Sequence, residues 1–250
     1  MIEPPKIVAI RKELERIGSA SCTSSTFQDQ LLSYLDMNAH RGDFLIEVGC
    51  FRGGMTAQLA AFAQDRGKVL HVVDVDRGML EHARSAVRAA LGESPSCVRY
   101  FEGSLTRFLE EAKPQGRCIL VFIDGDHHYQ GVVDDVRAVL DSALPRPISL
   151  CFHDYSLRYT EADHRDVRVD RTIRDVLGEH ATIPIGEVAG LAGTLVCRPQ
   201  PDDSGAHYQE GGSEGVVVVL PAPAAAESAP ARGRFRFLRR PRHADALSAG

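Results

Sequence analysis

Two short stretches of acids and histidines stand directly behind strongly apolar runs. CILVFI (118–123) leads into Asp124-Gly125-Asp126-His127-His128-Tyr129, and ISLCF (148–152) leads into His153-Asp154-Tyr155. Such side chains are costly at the end of a core segment unless they are exposed, paired or used. Their types suit a reaction in which a hydroxyl oxygen loses its proton as it attacks an electrophilic carbon. Magnesium is held by one or two carboxylates, with the remaining positions left to water or substrate oxygens. Asp124 and Asp154 supply such a pair, and a cation there would lower the pKa of a bound hydroxyl. His127, of a type with an ordinary pKa of about 6.5, is the candidate general base. His153 reads as a third metal ligand, a partner of a ligand or a packed residue. Asp126 competes as a cap for the helix that follows, and His128 reads as solvated or packed.

A second constellation closes the run FLIEV (44–48): Glu47-Val48-Gly49-Cys50-Phe51-Arg52-Gly53-Gly54-Met55-Thr56. Gly49 permits a tight turn, and Gly53 and Gly54 let backbone approach a ligand. The helix that follows offers unpaired N–H groups at its start. VLHVVD (69–74) ends in Asp74, whose carboxylate suits the two hydroxyls of a ribose. These features fit either NAD or S-adenosylmethionine (SAM). The loop is ExGxxxG rather than the GxGxxG that seats a pyrophosphate. Glu47 would repel a pyrophosphate and suits the ammonium of a methionine, so the reading is SAM. The donor site is assigned to Glu47, Gly49, Gly53, Thr56 and Asp74, with Asp124 bordering it. Ser104, after CVRYF (97–101), borders the adenine, caps the helix LTRFLEEA, or does both.

The elements that must position these residues follow from alternation. Five short, β-branched apolar runs alternate with segments of helical spacing: MTAQLAAFAQ, GMLEHARSAVRAAL, LTRFLEEA and GVVDDVRAVLDSAL. Runs apolar on both faces suit buried parallel strands, and the alternation predicts a doubly wound α/β, Rossmann-like sheet. Ligands bind such sheets at the carboxyl ends of the strands, where both constellations fall. VRVDRTIRDVLG (167–178) adds a helix, and ATIPI and GTLVC read as a hairpin at one sheet edge. The chain divides into a helical cap or lid over 1–40, a catalytic domain over 41–200 and a disordered tail over 201–250. That tail is rich in Gly, Ser, Pro and acids at its start and holds VVVVL (216–220) as a lone apolar run.

At these residues the sequence resembles the class I SAM-dependent methyltransferases, in particular the small metal-dependent O-methyltransferases. Within these it is most similar to the branch of macrolide-sugar (macrocin) O-methyltransferases and relatives from cephalosporin biosynthesis. FLIEVGCFRGGMT, VLHVVDVD, FEGS, LVFIDGDHHYQGVVDDV and CFHDY carry the resemblance, over roughly 44–155. It implies a seven-stranded, mostly parallel sheet whose last strand is antiparallel. It also implies donor contacts at Glu47, Gly49, Asp74 and Ser104, a Mg²⁺ site at Asp124 and Asp154, and His127 as base. Where some relatives carry an acid, this chain has His153. The polar segment Ser156–Asp166 reads as part of a substrate lid. The acceptor expected from the resemblance is a small hydroxylated or glycosylated metabolite, or a sugar of a surface glycan.

Composition fits this reading. The 250 residues are 44% hydrophobic and 25% charged, with a net charge of −5, which gives no reason to expect a nucleic-acid partner. No run has the roughly 20 apolar residues of a membrane span, and the N-terminus does not read as a signal peptide, so a cytoplasmic location is expected. The six cysteines form no CxxC pair and read as reduced thiols. RGRFRFLRRPR (232–242) reads as solvated tail, with peripheral contact to an anionic membrane as the other reading. A homo-oligomer is also open. Two competing functions remain at this level: a SAM-binding protein without catalysis, and an NAD-dependent oxidoreductase.

Overall fold

The computed structural model describes residues 4–19, 21–92, 95–159, 165–187, 206–209 and 211–222. Two helices, α1 (Pro4–Arg16) and α2 (Ser25–Asn38), precede the sheet. The expected alternation then follows: β1 (Phe44–Val48), α3 (Gly54–Arg66), β2 (Val69–Asp74), α4 (Arg77–Leu91), β3 (Val98–Glu102), α5 (Leu105–Glu111), β4 (Cys118–Ile123), α6 (Tyr129–Asp141) and β5 (Ile148–Phe152). A short strand β6 (Leu157–Tyr159), helix α7 (Val169–Leu177), β7 (Thr182–Glu187), β8 (Ala206–Tyr208) and β9 (Ser213–Leu220) complete the described chain.

The seven-stranded sheet has the order β3-β2-β1-β4-β5-β9-β7, and β6 pairs with β8 in a separate two-stranded ribbon. Strands β1 to β5 are mutually parallel where they pair. β9 runs antiparallel to both β5 and β7. The strand order reverses between β1 and β4, which creates the crevice where ligands bind in such sheets.

Strand pleating sends alternate residues to opposite faces, and each face is buried beneath helices. Leu45, Leu70, Val72, Leu120, Phe122, Cys151 and Val217 pack with residues of α1 to α4. Ile46, Val48, Val73, Val121, Ile123, Leu150, Phe152 and Val216 pack with residues of α5 to α7. Side-chain caps fix several helix starts. Ser24 accepts from the Phe27 N–H, Asp76 from Gly78 and Met79, and Ser104 from Arg107, each satisfying an otherwise orphaned donor.

Three expectations need correction. The folded unit does not end at residue 200: β8 and β9 fall in the segment expected to be a disordered tail. VVVVL is the core of β9, with Val216, Val217 and Val218 almost fully buried, because only an apolar strand can fill the slot between β5 and β7. Among the described residues, the strand that holds ATIPI pairs with β9. GTLVC lies outside the described residues, as does 232–242. Thirdly, Cys22 is disulfide-bonded. It stands half-exposed before α2, unlike the buried free thiols Cys118 and Cys151 within strands. Among the described residues no helix is long and apolar enough to cross a membrane.

A chain stopped at residue 205 lacks the strand that joins β5 to β7 and is expected to lose cooperative thermal unfolding. Calorimetry that gives a full-length-like melting transition for this truncation would contradict the place of β9 in the sheet.

Candidate functional site

Strand register brings the predicted residues to one edge. The ladder continues past the strand ends: Gly49 N–H donates to Val73 O, Gly103 to Asp74 O, Asp124 to Val48 O and His153 to Ile123 O, at 2.8–3.2 Å. Asp74, Gly49, Asp124 and His153 therefore stand side by side at the carboxyl ends of β2, β1, β4 and β5. They border a cavity of about 720 Å³, lined also by Glu47, Cys50, Ser104, His127 and Asp154.

On the donor side, Gly49 has φ +81°, and a Cβ there would lie 2.4 Å from Asp124 O. Only glycine fits this turn. Asp74 holds the loop, since Oδ2 accepts from Cys50 N–H at 2.9 Å and Oδ1 from Asp76 N–H at 2.9 Å. It still faces the cavity with acceptor capacity to spare. Ser104 caps α5 and also lines the cavity. Gly53 and Thr56 are not brought to the cavity. A Cβ on Gly53 would meet Ala83 Cα at 2.5 Å, so this glycine permits close packing of α3 on α4. Thr56 is fully buried beneath the loop.

Glu47 lies on the same face of β1 as Leu45, against α3, and is 1% exposed. Its Oε2 has no hydrogen-bond partner among the described residues. Burial pushes its pKa up to about 8, the nearby Thr56 hydroxyl opposes the rise, and the charges of Asp124 and Asp74 add to it. A buried carboxyl with an unused oxygen at a cavity fits a ligand ammonium, which would draw it into its charged form.

On the other side, His127 Nε2 lies 3.3 Å from Asp154 Oδ2 and 3.9 Å from Asp124 Oδ1. One ligand atom from each of Asp124, His127 and Asp154 falls within 4.8 Å of the others, and this donor set of carboxylates and an imidazole fits a divalent cation. Asp154 adopts φ +54°, a region that Asp tolerates better than most residues.

His153 is not free to be a ligand. Its Nδ1 meets Asp124 Oδ1 at 2.9 Å and its Nε2 meets Glu214 Oε1 at 3.1 Å, so both ring nitrogens are taken. Burial alone would favour its neutral form, but Asp154, Asp124 and Glu214 outweigh this and hold its pKa well above the ordinary value. With a carboxylate at each ring nitrogen, neither is left for a metal. Asp126 is not the N-cap of α6, a position held by His128. Instead its carboxylate accepts from the backbone N–H and ring of His128.

Several site residues escaped the sequence reading. Tyr208 of β8 donates to Asp154 Oδ1 at 2.7 Å, and Glu214 of β9 faces His153. Both fall in the presumed tail, and the only available signal was an acid at the head of a β-branched run, SEGVVVVL. Ser21 and Cys22 from before α2, and Leu157 and Tyr159 from β6, wall the remainder of the cavity. Asp135 of α6 also lines it, with a pKa pushed up to about 7 by burial and by Asp126 and Asp134.

These raised carboxyl pKa values have a thermodynamic sign. In the folded chain Glu47 keeps a proton that the unfolded chain releases near its ordinary value, so its contribution to stability is present at low pH and is lost as pH rises towards 8. The melting temperature is expected to fall from pH 5 to pH 8. Glu47→Gln should flatten the slope and leave the parts due to Asp135 and to His153, whose raised pKa gives the same sign. An unchanged slope in Glu47→Gln would refute the buried, protonated state.

Comparison with known proteins converges on the same reading. Residues 46–155 match a family model described as a methyltransferase domain. No curated protein sequence matches. Solved structures share the fold across most of both chains. An O-methyltransferase from Bacillus cereus in complex with SAH is 15% identical, with a TM-score of 0.58, over 88% of this chain and 93% of that one. The O-methyltransferase TomG from Streptomyces achromogenes, solved with SAM, is 18% identical at TM-score 0.55, over 88% and 91%. An SAH-bound methyltransferase from Podospora anserina is 14% identical at TM-score 0.56, over 89% of each chain. At such identities the likeness carries the fold, while the family match falls on the segment that builds both sides of the cavity. The domain match, the sheet order and the donor loop agree, and residues 46–155 are similar to a methyltransferase domain within a fold shared with SAM- and SAH-bound methyltransferases.

Proposed function

We propose that this chain is a SAM-dependent methyltransferase that transfers the methyl group to a hydroxyl oxygen of a small acceptor, with a divalent cation, Mg²⁺ by preference, held by Asp124 and Asp154. The observation that carries the reading is the cluster of Asp124, His127 and Asp154 at the reacting end of the donor cavity. Glu47 receives the methionine ammonium, Asp74 the ribose and Ser104 the rim of the adenine. A bound cation would lower the pKa of the acceptor hydroxyl. His127, half-exposed beside both carboxylates, takes the hydroxyl proton, while Tyr208 and His153 hold the carboxylates still. A second reading is favoured by the position of His127 Nε2, 3.3 Å from Asp154 Oδ2, which also suits a third ligand.

The cavity wall bears on the acceptor. Among the described residues it includes Glu47, Asp74, Asp124, Asp135 and Asp154 and neither lysine nor arginine. An acceptor bearing phosphates or a carboxylate would meet repulsion with no lysine or arginine side chain of the wall to offset it. This favours a neutral or amine-bearing hydroxylated molecule, such as a sugar moiety of a natural product or surface glycan, over a coenzyme A thioester.

Turnover with SAM and a panel of hydroxylated sugars and natural products tests the assignment. Asp124→Asn and Asp154→Asn are expected to abolish Mg²⁺-stimulated methylation while SAM still binds. Full activity in excess EDTA would remove the cation from the reaction. His127→Ala should lower turnover by roughly 10²–10⁴-fold if it is the base, with Mn²⁺ affinity intact. Loss of Mn²⁺ binding in that variant would make it a ligand instead.

A further inference from the structure

Glu214 is fully buried, yet its carboxylate is shared between two distant parts of the chain. Oε1 accepts from His153 Nε2 at 3.1 Å and from the Ser24 N–H at 2.7 Å, and Oε2 accepts from the Ser24 hydroxyl. On one side, His153 passes the contact on through Nδ1 to Asp124 Oδ1 at 2.9 Å. The ring is oriented further by Phe27, packed edge-on at 5.2 Å between centroids. On the other side, Ser24 is the N-cap of α2 and stands directly after Ser21 and Cys22, which wall the cavity.

The backbone delivers Glu214 to this place. β9 is antiparallel to β5 with Val216 opposite Phe152, so its beginning reaches the edge where the parallel strands end. Tyr155 N–H donates to Glu214 O at 2.9 Å, which fixes the residue against the turn carrying His153 and Asp154. Gly186 and Gly215 leave room around it: a Cβ on Gly186 would lie 2.7 Å from Glu214 Cβ, and one on Gly215 would lie 2.5 Å from Phe27 Cε2.

We propose that Glu214 is a positioning residue, which through His153 holds Asp124 in place for the cation and through Ser24 holds the segment that walls the cavity at Ser21 and Cys22. One carboxylate thereby makes order at the reacting centre and placement of the N-terminal segment interdependent. The inference rests on the reading of Asp124, His127 and Asp154 as the reacting centre. It assigns Glu214 no contact with donor, acceptor or cation.

Full-length Glu214→Ala, Glu214→Gln, Ser24→Ala and Asp124→Asn variants test this. SAH affinity is measured by calorimetry, Mn²⁺ affinity by electron paramagnetic resonance in the presence of SAH, and amide exchange by mass spectrometry over residues 21–27. Glu214→Ala is expected to weaken Mn²⁺ binding by roughly tenfold or more, the usual effect of losing a partner behind a metal ligand, and to speed exchange over 21–27, with SAH affinity nearly unchanged. Glu214→Gln keeps an oxygen that accepts from both His153 and Ser24 N–H, and should stay close to the parent on every readout. Ser24→Ala should speed exchange while Mn²⁺ affinity holds.

Wild-type Mn²⁺ affinity in Glu214→Ala, where Asp124→Asn loses it, would overturn the proposal. So would a parallel loss of SAH and Mn²⁺ binding in Glu214→Ala that Glu214→Gln does not restore, since that marks a purely structural role. If the parent chain binds no Mn²⁺, the cation reading fails by itself. Glu214 is then judged by exchange over 21–27 and by the ¹⁵N shifts of the His153 ring, and no change of either in Glu214→Ala overturns the proposal. If Glu214→Ala does not fold, Glu214→Asp, whose side chain is too short to reach both partners, replaces it in the same measurements.

Discussion

Everything at this site depends on how a buried imidazole is held between carboxylates. His153 is 4% exposed, and a buried charge without partners would be expelled or neutralised. It survives because Asp124 and Asp154 face one edge of the ring and Glu214 the other. That arrangement needs three separate pieces of chain: the tip of β4, the tip of β5, and an antiparallel strand that enters from the opposite direction. A sheet of parallel strands alone would leave the far nitrogen facing apolar side chains. The seventh strand thus supplies the second hydrogen-bond partner of this ring as well as apolar burial.

The donor side handles a buried acid differently. Glu47 has no partner for one of its oxygens and no cation beside it, so protonation is what makes burial tolerable before a ligand arrives. The two halves of one cavity therefore hold carboxylates differently. Around His153 they are paired with ring nitrogens; under the glycine loop one carboxyl oxygen has no partner among the described residues. The first arrangement gives a rigid reacting centre. The second gives a receptor whose charge appears only when a cationic group is there to match it.

Much of this was legible in the sequence, and the reasons are local. β1, β4 and β5 are apolar on both faces, so their ends could be placed, and the ligand-bearing edge of a parallel sheet is the carboxyl one. The placement of Glu47, Gly49, Asp74, Asp124, His127 and Asp154 at that edge could be read in this way. The role of His153 could not, because it is decided by Glu214, a residue sixty-one positions away behind a polar, glycine-rich stretch. Tyr208 was hidden likewise. Gly53 misled for the opposite reason: a glycine beside a ligand loop suggests backbone approach to the ligand, whereas its missing side chain makes room for Ala83 of α4. Pairing and packing partners distant in sequence are not written in spacing.

β9 is the last strand of the sheet to be synthesised, yet it lies inside the sheet and not at its border. A chain emerging from the ribosome presents β1 to β5, the donor loop and both acidic tips well before Glu214 and Tyr208 exist. Until then β5 is an open edge, and His153 has carboxylates on one side only. Domains fold as units during synthesis, and this one has to leave a gap between β5 and β7 that only its own final strand can fill. The nascent chain therefore carries all the recognisable sequence motifs of a methyltransferase before it has the means to act as one, and translation has to run past residue 214 for the centre to be complete.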